Sequence, residues 1–134
     1  MKYLQGEQPC PCGRLDATGK ALAYAQCCSR CLESCLSAAD AETLMRSRYT
    51  AFVLEREPYL LSTWHASRRP DGIDFDPNAK WLGLEVRASS EQDAEHAEVE
   101  FVARHRVAGR AVRLHERSRF IKEAGHWYYL DGMT

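Results

Sequence analysis

The residues of this chain best suited to chemistry are its cysteines: six fall between Cys10 and Cys35, and none follows in the 134-residue sequence. Two close pairs stand out, Cys10 and Cys12 within Pro9-Cys10-Pro11-Cys12-Gly13, and Cys27-Cys28. Four thiolates in so short a stretch suit a tetrahedral ion, zinc above others. Proline fixes φ and glycine permits a tight turn, so the sulfurs of the first pair can face one point. Spacing leaves the second half of the site open. Cys27 and Cys28 would serve, and so would Cys28 and Cys31, since Cys-x-x-Cys is a common zinc half-site. A four-thiolate site has no free coordination position, so the metal would be structural. Arg14, Lys20 and Arg30 lie near in sequence and could offset its negative charge.

Other cysteine chemistries are weaker. A disulfide framework needs an oxidising compartment, and Met1 to Glu7 has no apolar signal-peptide core. Cys28-Ser29-Arg30-Cys31 has redox spacing, but no βαβ pattern surrounds it. Cys27, Cys31 and Cys35 recur every four residues and could share a helix face. Cys31 and especially Cys35 read as small buried hydrophobes.

Beyond the cysteines, Ala111 to Ile121 alternates. Arg113, His115, Arg117 and Arg119 take one face, and Val112, Leu114, Glu116, Ser118 and Phe120 the other. The basic face invites a nucleic-acid reading, but Glu98, Glu100, Arg104 and Arg106 on the preceding strand favour cross-strand ion pairs instead. Glu116 and Ser118 sit among apolar residues, and a buried carboxylate needs a cation or donors. Arg48 is the expected partner, in a structural ion pair between helix and sheet. The candidate pocket comprises Arg48, Tyr49, Trp64, His65, Glu116, Ser118 and Trp127. A small-molecule binder or enzyme using Glu116 and His65 as an acid–base couple is the alternative function. No residue is assigned as catalytic. Asp74-Phe75-Asp76-Pro77-Asn78 mimics a calcium loop only loosely and reads as turn chemistry.

The elements that position these residues form two units. Residues 1–36 make a cysteine module, in which Lys20 to Gln26 reads as one or two helical turns. Residues 37–134 make the main domain. Asp40 caps a helix over Ala41 to Arg56, and Pro58 opens a shorter one reaching Trp64. Ser67 to Lys80 is a loop. The period then changes to two, giving strands at Trp81–Ser89, Ala97–Val107, Ala111–Ile121 and His126–Leu130, with hairpin turns at Ala108-Gly109 and Glu123-Ala124-Gly125. Helices followed by an antiparallel meander give an α+β fold. Its core is expected to hold Phe52, Trp64, Leu82, Leu84, Phe101, Leu114 and Phe120. A formal net charge of −1 gives no general attraction to nucleic acid or membrane. No apolar run reaches spanning length, so the expected location is the cytoplasm.

Several of these segments resemble known ones. Cys10-Pro11-Cys12-Gly13 with Cys27-Cys28 is similar to the SEC-C motif, the zinc-binding tail also found at the end of the SecA translocase. Leu44-Met45-Arg46-Ser47-Arg48-Tyr49-Thr50-Ala51-Phe52-Val53 resembles the first helix of the YchJ family. Thr63-Trp64-His65, Trp81-Leu82-Gly83-Leu84-Glu85-Val86, Leu114-His115-Glu116-Arg117-Ser118-Arg119-Phe120 and Trp127-Tyr128-Tyr129 resemble its later blocks. The resemblance implies a nuclear transport factor 2-like cone with an N-terminal zinc knuckle, and Cys10, Cys12, Cys27 and Cys28 as zinc ligands. Leu15 to Thr18 stands as an insertion in the motif, and Cys31 and Cys35 as additions. The function expected is a zinc-binding protein whose SEC-C module presents a surface to a protein partner. A small-molecule ligand in the cone is a further expectation, and nucleic acid is not an expected partner.

Overall fold

The computed structural model describes residues 2–133. Four helical or turn segments precede four strands. A 3-10 turn at Tyr24–Gln26 is followed by α1 (Ser29–Leu32), α2 (Ala41–Val53) and α3 (Glu57–Ser62). The strands are β1 (Ala79–Glu91), β2 (His96–Val107), β3 (Arg110–Glu123) and β4 (His126–Met133), in one antiparallel sheet of order 1-2-3-4. The architecture is the α+β cone expected from the change of period.

Helix α2 begins where Asp40 accepts a hydrogen bond from the Thr43 amide at 2.7 Å, satisfying one of the unpaired first-turn donors. It stops at Val53, short of Arg56, because Glu55 takes a left-handed φ of 56°. That break swings Arg56 back to Glu33 (2.9 Å) and the Lys2 carbonyl. Pro58 lies in the first turn of α3, where its missing N–H costs nothing. Helix α3 ends at Ser62, and the chain then pairs with β4 instead of coiling on to Trp64. The His65 amide donates to the Tyr129 carbonyl (2.7 Å) and the Tyr129 amide to the Thr63 carbonyl (2.8 Å).

The two tight hairpins are as expected: Ala108 and Gly109 both have positive φ, as do Ala124 and Gly125, the pattern whose twist matches the strands. Bulges curve the sheet. The bulge between Trp81 and Gly83 makes Leu82 the extra residue, so Leu82 is 45% exposed and does not join the core as expected. Trp81, Leu84 and Val86 keep the inward phase, opposite His105, Ala103 and Phe101. On the outer face the basic side chains of β3 meet carboxylates: Arg119 with Asp131, His115 with Glu100 at 2.6 Å, and Arg117 with Glu98 at 3.7 Å. In the loop before β1, Asp76 accepts from the Asn78 amide at 2.8 Å, a turn role.

Helix α2 is covered on two sides. Towards the sheet, Tyr49 meets Trp81 edge-on at 5.6 Å between ring centroids. Towards the N-terminus, Cys10, Cys12, Tyr24 and Cys28 belong to the same buried cluster as Leu44, Met45, Tyr49 and Phe120. The stretch from Lys20 to Gln26 is mostly not helical. Ala21 and Ala23 bridge Leu15 and Pro9, and only the 3-10 turn follows. The inserted residues close as a turn on Asp16, whose carboxylate accepts from the Thr18 and Lys20 amides.

The cap gives a direct test. Asp40→Ala should lower the unfolding free energy by about 1 kcal/mol, read as a shift in denaturant midpoint at constant slope. No shift in midpoint would show that α2 needs no side-chain cap.

Candidate metal centre and cone cavity

Cys10, Cys12, Cys27 and Cys28 converge from two turns. Cys10 and Cys12 lie on a tight loop in which the Gly13 amide donates to the Cys10 carbonyl at 3.1 Å, with Gly13 at φ 75°. Cys27 ends the 3-10 turn and Cys28 is the residue before α1. The four sulfurs all lie within 4.8 Å of one another, and those of Cys12 and Cys27 are 3.5 Å apart. Four sulfurs around zinc at about 2.3 Å stand about 3.8 Å from each other, so the donor set fits a tetrahedral ion. Cys31 is buried but outside this group. Cys35, expected to be buried, is instead exposed, because it turns the chain at φ 58° after α1 has ended. The shared helix face of Cys27, Cys31 and Cys35 therefore does not form.

Electrostatics favour a cation here. Hydrogen bonds from Cys12, Cys27 and Cys28 hold the Cys10 thiol far below its ordinary range. Cys27 and Cys28, which keep their protons as hydrogen-bond donors to Cys10 and Cys12, are pushed far above it. All four can ionise together only with a positive charge among them.

The support around the cluster comes from α2 and was not visible in the sequence. Thr50 Oγ1 donates to Cys28 Sγ at 3.2 Å and lies 3.8 Å from Cys10 Sγ. Arg46 Nη1 donates to the Cys12 carbonyl at 2.9 Å. Arg46 and Thr50 lie one turn apart, so a single helix face meets both halves of the cluster. Arg14 reaches α2 rather than the sulfurs, donating to Thr43 Oγ1 at 3.1 Å. Lys20 and Arg30 are exposed. On the far side Tyr24 donates to Glu33 at 2.9 Å, and Glu33 pairs with Arg56.

The second site is a cavity of about 310 Å³ inside the cone, between α2 and the sheet. Of the seven expected pocket residues it gathers five: Arg48, Tyr49, Trp64, Glu116 and Ser118. His65 lies outside, bonded to Ser67 (2.7 Å) and Glu123 (2.8 Å), because pairing with β4 turns it away. The expected acid–base couple of Glu116 and His65 is thus not assembled. Trp127 is buried elsewhere, beside Tyr59 and Thr63. The expected ion pair of Arg48 with Glu116 is also absent. Glu116 is half-buried and accepts from Ser118 Oγ at 2.8 Å. Its carboxylate lies over Gly132, in the space an added Cβ would need. Arg48 is 6% exposed and donates from Nη1 to the Leu60 carbonyl (2.8 Å) and Thr63 Oγ1 (2.6 Å). Its guanidinium stands over the rings of Tyr129 (4.6 Å) and Trp64 (5.2 Å). Burial pulls it down to about 10, leaving it charged at neutral pH.

Because the cluster rests on α2, losing the metal should reach the main domain. Cys12→Ser should abolish metal binding and lower the stability of the whole chain by more than about 4 kcal/mol, in one transition followed by tryptophan fluorescence. An unchanged main-domain transition would show that the module folds apart from the cone. Metal binding requires thiolates, so protons compete with it. Affinity should fall as pH falls, and a chelator should strip the protein faster in mild acid than at neutral pH. Release that is independent of pH would contradict thiolate ligation.

The comparisons with known proteins agree with this arrangement. The family model for the YchJ middle NTF2-like domain matches residues 40–132. A UPF0225 protein of Polaromonas sp. (strain JS666 / ATCC BAA-500) is 67% identical over 128 residues, covering 93% of this chain and 92% of its own length. A UPF0225 protein of Bordetella bronchiseptica is 54% identical over 136 residues, covering 98% of this chain and 96% of its own. The solution structure of a SEC-C motif containing protein from Rhodopseudomonas palustris matches with a TM-score of 0.80 at 37% identity, over 95% of this chain and 98% of that one. The crystal structure of a SEC-C motif containing protein from Psychrobacter arcticus matches with a TM-score of 0.79 at 32% identity, over 94% and 82%. With a matching domain model, close relatives along nearly its whole length and a shared fold, the chain belongs to the YchJ (UPF0225) family of SEC-C motif proteins with an NTF2-like domain.

Proposed function

We propose that this chain is a zinc protein of the cytoplasm whose SEC-C module presents a surface to a protein partner. The observation that carries the metal reading is the donor set: four cysteine sulfurs within 4.8 Å. Zinc suits four thiolates, and such a site leaves no position for substrate, so the ion is a fastener rather than a reagent. A reducing compartment keeps the thiols free to bind it. No helix among the described residues is long and apolar enough to cross a membrane.

The interaction reading rests on the module's surface. Among the described residues, Tyr3, Leu15 and Leu36 are exposed by 78%, 59% and 53%, half of the large apolar side chains left in solvent. All three fall within the first 36 residues, so the short module carries as many exposed large apolar side chains as the whole main domain.

Capture from native lysate tests the proposal. Metal-loaded wild type and a Val112→Asp variant of the outer sheet should retain the same partner. A Leu15→Asp/Leu36→Asp variant that still binds its metal should lose it. Retention by the double variant, or loss in the sheet variant alone, would place the contact outside the module.

A further inference from the structure

The metal centre makes no use of the cone cavity, and the cavity has a chemical character of its own. Its volume of about 310 Å³ lies within the range of about 300–1,000 Å³ that small-molecule sites occupy. Tyr49, Phe52, Trp81, Phe101 and Phe120 make its walls largely aromatic. Arg48 lies on the α2 side. It is a buried cation, its protein contacts are all with neutral groups, and it takes part in none of the ion pairs among the described residues. Only Nη1 is hydrogen-bonded, which leaves Nε and Nη2 as spare donors among the described residues. Trp64, on the same wall, has a buried indole N–H with no acceptor. Guanidinium nitrogens can only donate, so this wall offers a ligand the spare N–H groups of Arg48. The sheet wall is the reverse, since Glu116, hydrogen-bonded to Ser118, supplies acceptor oxygens.

We propose that the cone cavity binds a small aromatic monocarboxylate that carries one hydrogen-bond donor, its carboxylate on Arg48 and its donor towards Glu116 and Ser118. The planar ring matches the aromatic walls. The carboxylate matches the guanidinium fork and supplies the direct ion pair that Glu116, in the same cavity but out of contact, does not make with Arg48. A single negative charge suits a cavity that already contains Glu116, whereas a phosphate dianion would meet repulsion there. The inference stands apart from the metal reading, because neither Arg48 nor Glu116 is hydrogen-bonded to the cysteine cluster.

The test uses the full, metal-loaded chain with 3-phenyllactate as probe, followed by the indole N–H signal of Trp64 in ¹H–¹⁵N spectra. A saturable shift of that signal is expected. The methyl ester of the probe and the Arg48→Gln variant should each weaken binding by at least about thirtyfold, the loss that follows truncation of one partner of a buried charge pair. Ala103→Leu fills the cavity from β2 and should abolish binding, which keeps the test decisive if Arg48→Gln fails to fold. The proposal is overturned if neither 3-phenyllactate nor phenylalanine gives a saturable shift of Trp64. Equal affinity for acid and ester, or binding unaffected by Ala103→Leu, overturns it equally.

Discussion

Four sulfurs held within 4.8 Å form the constraint on which the N-terminal third of the molecule depends. Thiols so placed cannot all lose their protons without a cation, and the segment that carries them has little apolar mass to hold it otherwise. An ion would turn that crowding into an attraction, and the loop at Cys10–Cys12 and the turn at Cys27–Cys28 would then become one rigid piece. Thr50 and Arg46 dock that piece onto α2 through a sulfur and a carbonyl of the cluster. Removing one sulfur therefore loosens a helix that also forms the roof of the cone.

This double use explains the composition of α2. A helix against a sheet alone would bury one stripe and leave the rest polar. Here Met45 and Tyr49 serve the sheet and cavity, while Ser47 and Thr50, fully buried, serve the other side. Ser47 donates to the Leu44 carbonyl and meets Tyr59 Oη at 2.6 Å. Arg48 is buried as well, sustained by a carbonyl at the end of α3, a threonine hydroxyl and two aromatic faces. Such a charge is costly to bury without a counter-ion, and structures keep one where it holds an arrangement or meets a ligand.

The sequence carried the signals that depend on residue type and period. Cysteine pairs flanked by proline and glycine announced the cluster, and alternation announced the strands and their two tight turns. The errors arose where one residue changed the phase or the backbone changed course. A single bulge at Leu82 turned an expected core residue outward. A left-handed residue at Glu55 ended α2 early. Pairing of Thr63 and His65 with Tyr129 drew His65 out of the pocket, a long-range contact that local periodicity cannot announce. Opposite charges on facing elements suggest a link between Arg48 and Glu116. The fold satisfies each separately, Arg48 through neutral groups and Glu116 through Ser118. Nothing in the sequence neighbourhood of Thr50 and Arg46 marks them; only docking of the module gives them a role.

X-ray absorption at the zinc edge of the purified, reduced protein reads the cluster itself. A first shell of four sulfurs at about 2.3 Å, with no lighter atom in it, is expected. A shell containing nitrogen or oxygen, or protein that carries no zinc at all, would contradict a four-thiolate zinc site.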